Sequence, residues 1–403
     1  NLKIRLSYGS LGNQQIGYYD FIQTITTKGS MGDYSFDGTI LGQHATVSDP
    51  VSGNQTWEKV ISKNLGADLN MFSNRLSLTA DFYIRDTKGI LGKGKSLPSI
   101  YGADEPQVNS NNLRTKGYEL VLGWRDSFKL AGSTFSYGIT GTFSDYTAEY
   151  TKCDNPSGLI GDPYVGKKYG EIWGYKVDGL FRNDEEAAEY ASRVDLSKVA
   201  AGYYSATGAY GKGVRGGDIK YLDLNGDGVV DSYDVKPIGY TSIPEIVYGF
   251  GFSLQWKAFD FSAFFQGVGH VSFSTLTDQT LGFNARNSRE ANLFSDVYDN
   301  YWTPERLDAK YPRLYIGTNN NNNQTSTFWM ANGRYMRLKN LEIGYTLPKR
   351  ISQKMAMQNM RVYLSGVNLF TFSPFKLWDP DLQTGATNYP NNRIINIGLT
   401  IGF

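Results

Sequence analysis

The stretch YLDLNGDGVVDSYD, residues 221–234, spaces oxygen donors in the way a hard cation requires. Counting Asp223 as the first position, Asn225 is third, Asp227 fifth, Gly228 sixth, Val229 seventh, Asp231 ninth and Asp234 twelfth. This is the order of an EF-hand-type calcium loop, in which the seventh residue offers its backbone carbonyl and the glycine makes the sharp turn. Calcium is therefore the expected cofactor, with Asp223, Asn225, Asp227, Val229, Asp231 and Asp234 as its ligands. Two features set the loop apart from a sensor. Its last position is an aspartate, shorter than the usual glutamate, and neither flank, RGGDIKY or VKPIGYTSIPE, reads as an amphipathic helix. With no helix pair to reorient, a bound ion would fasten the loop and not signal. Without metal, the same residues would make a solvated Asp/Gly turn.

Other stretches carry less chemistry. GILGKGKS, residues 89–96, matches the phosphate-loop pattern G-x-x-x-x-G-K-S at Gly89, Gly94, Lys95 and Ser96. A working phosphate loop opens a helix whose N-terminal N–H groups meet the phosphates. Here Pro98 stands where the first turn should be running, and no alternating α/β pattern follows, so the stretch reads as a glycine-rich connection. The two histidines, His44 and His270, lie far from any acidic pair, and no H-E-x-x-H or G-x-S-x-G signature is present. No enzyme is expected. A single cysteine, Cys153, leaves no disulfide framework within this chain. With 40 basic against 39 acidic residues, nothing marks a nucleic-acid surface.

The elements that must position the loop are strands. In EIVYGFGFSLQW, Ile246, Tyr248, Phe250, Phe252, Leu254 and Trp256 alternate with small or polar residues, and Phe259, Phe261, Ala263 and Phe265 continue the pattern after a tight reversal. The same period of two sets Leu2, Ile4, Leu6 and Tyr8 against Lys3, Arg5, Ser7 and Gly9. It recurs at Leu76, Leu78, Ala80, Phe82 and Ile84, and at Ile395, Ile397, Leu399, Ile401 and Phe403. About ten such strands are expected, several near the ~9–11 residues that cross a bilayer at a tilt. No run approaches the ~18 apolar residues of a membrane helix.

Link lengths separate a membrane barrel from a soluble sandwich. Short links fall near residues 71–75, 126–133, 257–259 and 348–360, and long ones near 10–56, 86–113, 151–244, 270–332 and 371–392. They alternate strictly. In an up-and-down meander this puts every long loop at one end and every short turn at the other, as in outer-membrane barrels; a sandwich mixes loop lengths at both ends. Lys3, Arg5, Arg75, Asp81 and Arg85 lie opposite the apolar residues of their own strands, which suits a wet or plugged interior. Trp124, Trp256, Tyr345 and Phe403, at strand ends, suit interfacial girdles.

Within the longest loop, NDEEAAEYASRVD favours a helix capped by Asn183 or Asp184. The asparagine run 319–323 reads as a mobile loop tip. Trp302, Trp329 and Trp378 either stack on a sugar or pack the loops together.

These segments resemble a known family. DLNGDGVVDSYDVKPIGYTSIPEIVYGFGFSLQWKAFDFSAFFQGV looks like a late barrel hairpin of the SusC/RagA-type TonB-dependent outer-membrane transporters. GRYMRLKNLEIGYTLP, MRVYLSGVNLFTFS, WDPD, NIGLTIGF and RLSLTADFYIRDTKGIL are similar to other strands of that family. The resemblance covers nearly the whole chain and implies an all-β fold: an antiparallel transmembrane β-barrel of 22 strands with an N-terminal plug, long extracellular loops and short periplasmic turns. Residues 1–403 would then be the C-terminal part of that barrel, a fragment without the plug or the segment that contacts TonB. The implied function is import of a large nutrient, a glycan, oligosaccharide or peptide, across the outer membrane of a Gram-negative bacterium. The implied partners are a SusD-like surface lipoprotein that caps the barrel, TonB as the source of energy, and outer-membrane lipid. The calcium loop, lying in a long link, would be extracellular. A passive porin or surface adhesin on the same barrel is the alternative, and a secreted calcium-dependent carbohydrate-binding β protein is a third reading.

Overall fold

The structure is a computed structural model of the chain. It describes all residues except 14–21, 30–34, 37–38, 41–42, 54, 95–96, 156–157, 159, 201–203, 206–212, 283–291 and 316. Ten long strands occupy the alternating segments: β1 (Leu2–Asn13), β2 (Glu58–Met71), β3 (Leu76–Lys93), β4 (Gln107–Leu130), β5 (Ser133–Lys152), β6 (Ile246–Trp256), β7 (Phe259–Gly269), β8 (Tyr335–Thr346), β9 (Asn359–Phe372) and β10 (Ile394–Gly402). They are hydrogen-bonded in chain order into one antiparallel sheet, with β1 and β10 at its edges. No helix is long and apolar enough to cross a membrane, among the described residues. Packing divides the chain into two compact units, Asn1–Val121 with Asp145–Tyr169, and Leu122–Ser144 with Gly170–Phe403.

In the first unit β2 and β3 are joined by a short turn in which Phe72, Ser73 and Asn74 all have positive φ. The links 14–57 and 94–106 are long. Register sets Leu6 beside Leu65 and Leu65 beside Phe82, one residue away from the row Arg5, Gly66, Asp81. Alternation therefore gives one apolar face and one charged face. On the charged face Arg5 reaches Asp68 at 3.0 Å and Asp81 at 2.9 Å. Gly66 lies between these partners, and a Cβ there would strike both Asp81 and Arg5. The phosphate-loop match falls on β3: Gly89 is within the strand, and the Gly94 N–H bonds the Pro106 carbonyl at 2.8 Å. Gly89 and Gly94 thus open no helix, while Lys95 and Ser96 lie outside the described residues.

In the second unit 131–132 and 257–258 are tight turns, 347–358 is a twelve-residue link with a short helix at Lys349–Lys354, and the stretches 170–245, 270–334 and 373–393 are long. One cross-strand row runs Leu254, Phe261, Ile343, Leu364, Ile397; its neighbour runs Ser253, Ser262, Glu342, Ser365, Asn396. Five strands agree on which face is greasy. Ile343, Leu364 and Ile397 are exposed, so nothing covers this row among the described residues. An uncovered apolar row of this extent requires an apolar surrounding. The polar face repeats the device of the first unit: Arg361 pairs with Asp260 and, at 2.5 Å, with Glu342. Gly344 again leaves the room that a Cβ would take from Arg361 and Asp260. Aromatics gather at the short-turn end, with Phe259 and Tyr345 rings 4.8 Å apart and Lys257 over Trp256 at 4.5 Å.

The dry core of the second unit is in its long links. Phe181, Leu196, Ile219, Tyr221, Val230 and Trp329 are buried together there. The predicted helix forms as α1 (Asp184–Arg193), with the Asn183 side chain accepting from the Glu186 N–H at 2.8 Å and Glu186 accepting from the Arg182 N–H at 2.8 Å. Its Ala187 is buried and its Tyr190 hydroxyl donates to the Tyr221 carbonyl at 2.6 Å.

The asparagine run departs from expectation. Asn319, Asn321 and Asn322 are buried, so the segment is no mobile tip. An amide both donates and accepts, so a row of asparagines can satisfy the backbone of a neighbouring link inside a dry core. Asn321 donates to the Ile219 carbonyl at 2.9 Å, and Asn322 accepts from the Ile219 N–H at 2.9 Å.

Candidate functional site

The 223–234 loop is built from aspartate-capped turns. Asp223 accepts from the N–H groups of Gly226 (2.7 Å) and Gly228 (2.8 Å), and Asp227 accepts from Val229 (2.9 Å). Asn225 accepts from the Asp227 N–H at 2.9 Å, and Asp231 accepts from Tyr233 at 2.8 Å. Gly226 and Gly228 take positive φ, which the tight course of the chain needs and which costs glycine little. Asp234 is fully buried and ties the two ends together, accepting from Leu224 at 2.7 Å and from Asp231 at 2.9 Å. Beyond the loop, the Gly228 carbonyl accepts from the Asp195 N–H at 2.7 Å, fixing it to the chain just after α1.

In number, kind and order these donors fit a hard cation. Among the described residues, however, no three His, Cys, Asp or Glu side chains converge as a ligand set. Asn225 and Asp227 are exposed on the turn, whereas Asp234 lies beneath it. An ion would therefore draw the outer side chains off their N–H partners, with Asp234 the residue least free to move.

Sequence pattern missed the polar keystone of the loop core. Asp218 is fully buried, and it accepts from Tyr315 (2.6 Å), Asn319 (2.9 Å), Asn322 (2.9 Å) and the Arg215 N–H (2.8 Å). Burial pushes its carboxyl above the usual range, and these donors oppose that. One aspartate thus binds link 153–245 to link 270–334. The only legible signal was the asparagine run itself.

Of the three loop tryptophans, Trp329 is 1% exposed and donates its indole N–H to the Asn322 carbonyl at 2.8 Å. Trp302 is 7% exposed, with the Arg313 guanidinium 5.8 Å over its ring. Trp378 stacks on Phe294 at 5.8 Å, meets Phe375 edge-on at 4.6 Å, and donates to the Gln383 carbonyl at 2.7 Å. All three pack loops together.

Beside this packing lies a cleft of about 470 Å³, lined by residues that include Phe294, Phe328, Pro374, Phe375 and Leu377, with Asp296, Lys310 and Lys376 among them. One wall is the link 373–393. That link is held down by the buried Arg337, which pairs with Asp379, and by the Tyr335 hydroxyl, which donates to Asp381 at 2.8 Å. The Asn391 amide bridges Asp379 at 3.1 Å and Asp381 at 3.0 Å. Asp296 accepts from Lys310 (2.5 Å) and the Tyr311 hydroxyl (2.6 Å). Partial burial raises the Asp296 carboxyl, but these donors outweigh it and hold the group below the usual carboxylate range.

No family model matches the chain. The whole chain aligns with TonB-dependent receptor P3 of Formosa agariphila at 28% identity, covering 39% of that protein. It aligns with TonB-dependent receptor SusC of Bacteroides thetaiotaomicron at 24% identity, covering 38%. The fold matches the solved RagAB peptide transporter with a TM-score of 0.70 at 22% identity, across the whole chain and 41% of that structure. It matches the RagAB peptide importer in its open-open state with a TM-score of 0.71. The chain spans about two fifths of the length of these relatives. Over its whole length the chain is similar in sequence to TonB-dependent receptors, SusC among them, and its antiparallel sheet matches in fold part of the RagAB transporter.

Proposed function

We propose that the chain forms wall and outer loops of an importer in the outer membrane of a Gram-negative bacterium. It takes in a large nutrient, a glycan, oligosaccharide or peptide, together with a SusD-like lipoprotein, and is energised through TonB. The observation that carries this reading is the pair of adjacent rows in the second unit, apolar from Leu254 to Ile397 and polar from Ser253 to Asn396. Such a wall meets lipid on one side and water on the other. The similarity to TonB-dependent receptors and to the RagAB peptide importer supports inward transport, and the latter supports a peptide as cargo. Cells lacking the full-length receptor should lose uptake of one member of a labelled glycan and peptide panel, and cells lacking TonB should lose it equally. Uptake that persists without TonB would replace the importer with a passive porin, and loss of surface attachment alone would replace it with an adhesin.

A local proposal concerns the 223–234 loop: calcium held by Asp223, Asn225, Asp227, the Val229 carbonyl, Asp231 and Asp234 on the extracellular side. A weak site of about 10⁻⁴–10⁻³ M would be filled outside the cell. The ion would add its charge to a loop already fixed at Asp195, so its effect is to stiffen a link and not to trigger transport. Calorimetric titration of chelator-treated receptor should show calcium binding that Asp227→Ala removes. Absence of heat in the unsubstituted protein would end the proposal.

A further inference from the structure

The 470 Å³ cleft has a lining chemistry that the import reading does not use. Its aromatic rings are already committed to one another. Phe294 stacks on Trp378, Phe375 meets the same indole edge-on, and Phe328 lies T-shaped to Trp329 at 5.0 Å. What faces the cleft is a mixture of packed rings and the aliphatic groups of Pro374, Leu377 and Ala331. A pyranose ring prefers a broad free aromatic face ringed by hydrogen-bonding side chains. This lining suits an apolar side chain instead.

Charge narrows the choice. Asp296 and Lys310 neutralise each other across a 2.5 Å ion pair, and the Tyr311 hydroxyl takes a further share of the same carboxylate. Lys376 is exposed at the cleft and has no hydrogen-bond or ion-pair partner among the described residues. The cleft is thus left with one uncompensated ammonium beside an apolar surface. A carboxylate placed there would form a charge-assisted hydrogen bond, roughly twice as strong as a neutral one.

We infer that this cleft binds the carboxyl-terminal end of a peptide, with an apolar side chain among Phe294, Phe328 and Leu377 and the terminal carboxylate on Lys376. The inference rests on the import reading and names the cargo class for which the cleft is built. The link 373–393 supplies Lys376, and the Arg337 to Asp379 pair positions that link. A second cleft of about 280 Å³, lined by Thr277, Gln279, Thr384 and Thr387, uses the same link as a wall and offers polar groups to a longer chain.

The test is calorimetric titration of the purified full-length receptor with a tripeptide ending in phenylalanine, its carboxyl-terminal amide, and maltotriose. The free acid should bind about tenfold tighter than the amide, as one charge-assisted bond allows. Lys376→Ala, at an exposed site that leaves packing intact, should remove that ratio, and Lys376→Arg should restore it. Equal binding of acid and amide, no binding of either, or tighter binding of maltotriose would each overturn the inference. TonB-dependent uptake of a glycan alongside any of these results would leave the importer standing, so the two readings fail separately.

Discussion

Replacing Trp329 with alanine should loosen the loop core by about 3–5 kcal/mol, the range for truncating a large buried aromatic. The indole is buried beside Phe328, and the side chain removed also carries the N–H that satisfies the Asn322 carbonyl. Asn322 in turn donates to Asp218, so the loss reaches the polar keystone as well as the apolar packing. The barrel wall is held by its own ladder of strand pairs and does not share this core. Hydrogen exchange should therefore speed up in links 170–245 and 270–334, while β6 to β9 keep their protection. Tyr233→Ala, at a 75% exposed position in the calcium-type loop, should change stability by no more than about 0.5 kcal/mol. Unchanged exchange in the Trp329 variant would mean that the loop core is not a cooperative unit.

What could be read from the sequence, and what could not, follows from how each feature is written along the chain. A wall with lipid on one side and water on the other must alternate with period two. The row from Leu254 to Ile397 therefore shows in the letters of each strand before any partner is known. Link lengths are counted directly, and the observed short connections fall at the expected places. The loop core has no period. Phe181, Ile219, Val230 and Trp329 come together from segments about a hundred residues apart in places, and no local spacing announces them. The same distance hid Asp218. Read locally, an asparagine run is low-complexity and solvated; opposite a buried aspartate and the Ile219 N–H and carbonyl, its amides become structural. The calcium-type loop is intermediate between these cases. Its donor order is legible, whereas the convergence of the donors is a tertiary matter, and Asp234 has taken a capping role in place of an outward one.

That one face of this sheet meets lipid and the other does not is tested by adjacent residues of β9. Leu364 is 46% exposed on the apolar row, and Ser365 follows on the polar row beside Glu342. Both lie near the middle of a fourteen-residue strand, so depth is the same for the pair. An arginine on the lipid face near the midplane costs about 2–4 kcal/mol, and one facing the interior costs far less. The measurement is urea resistance of the full-length receptor in bilayers, with Leu364→Arg and Ser365→Arg compared against the unsubstituted protein. Leu364→Arg should lose resistance markedly and Ser365→Arg should change little, because its new cation sits beside the Glu342 carboxylate. Equal effects, or a greater loss for Ser365→Arg, would contradict that assignment of faces.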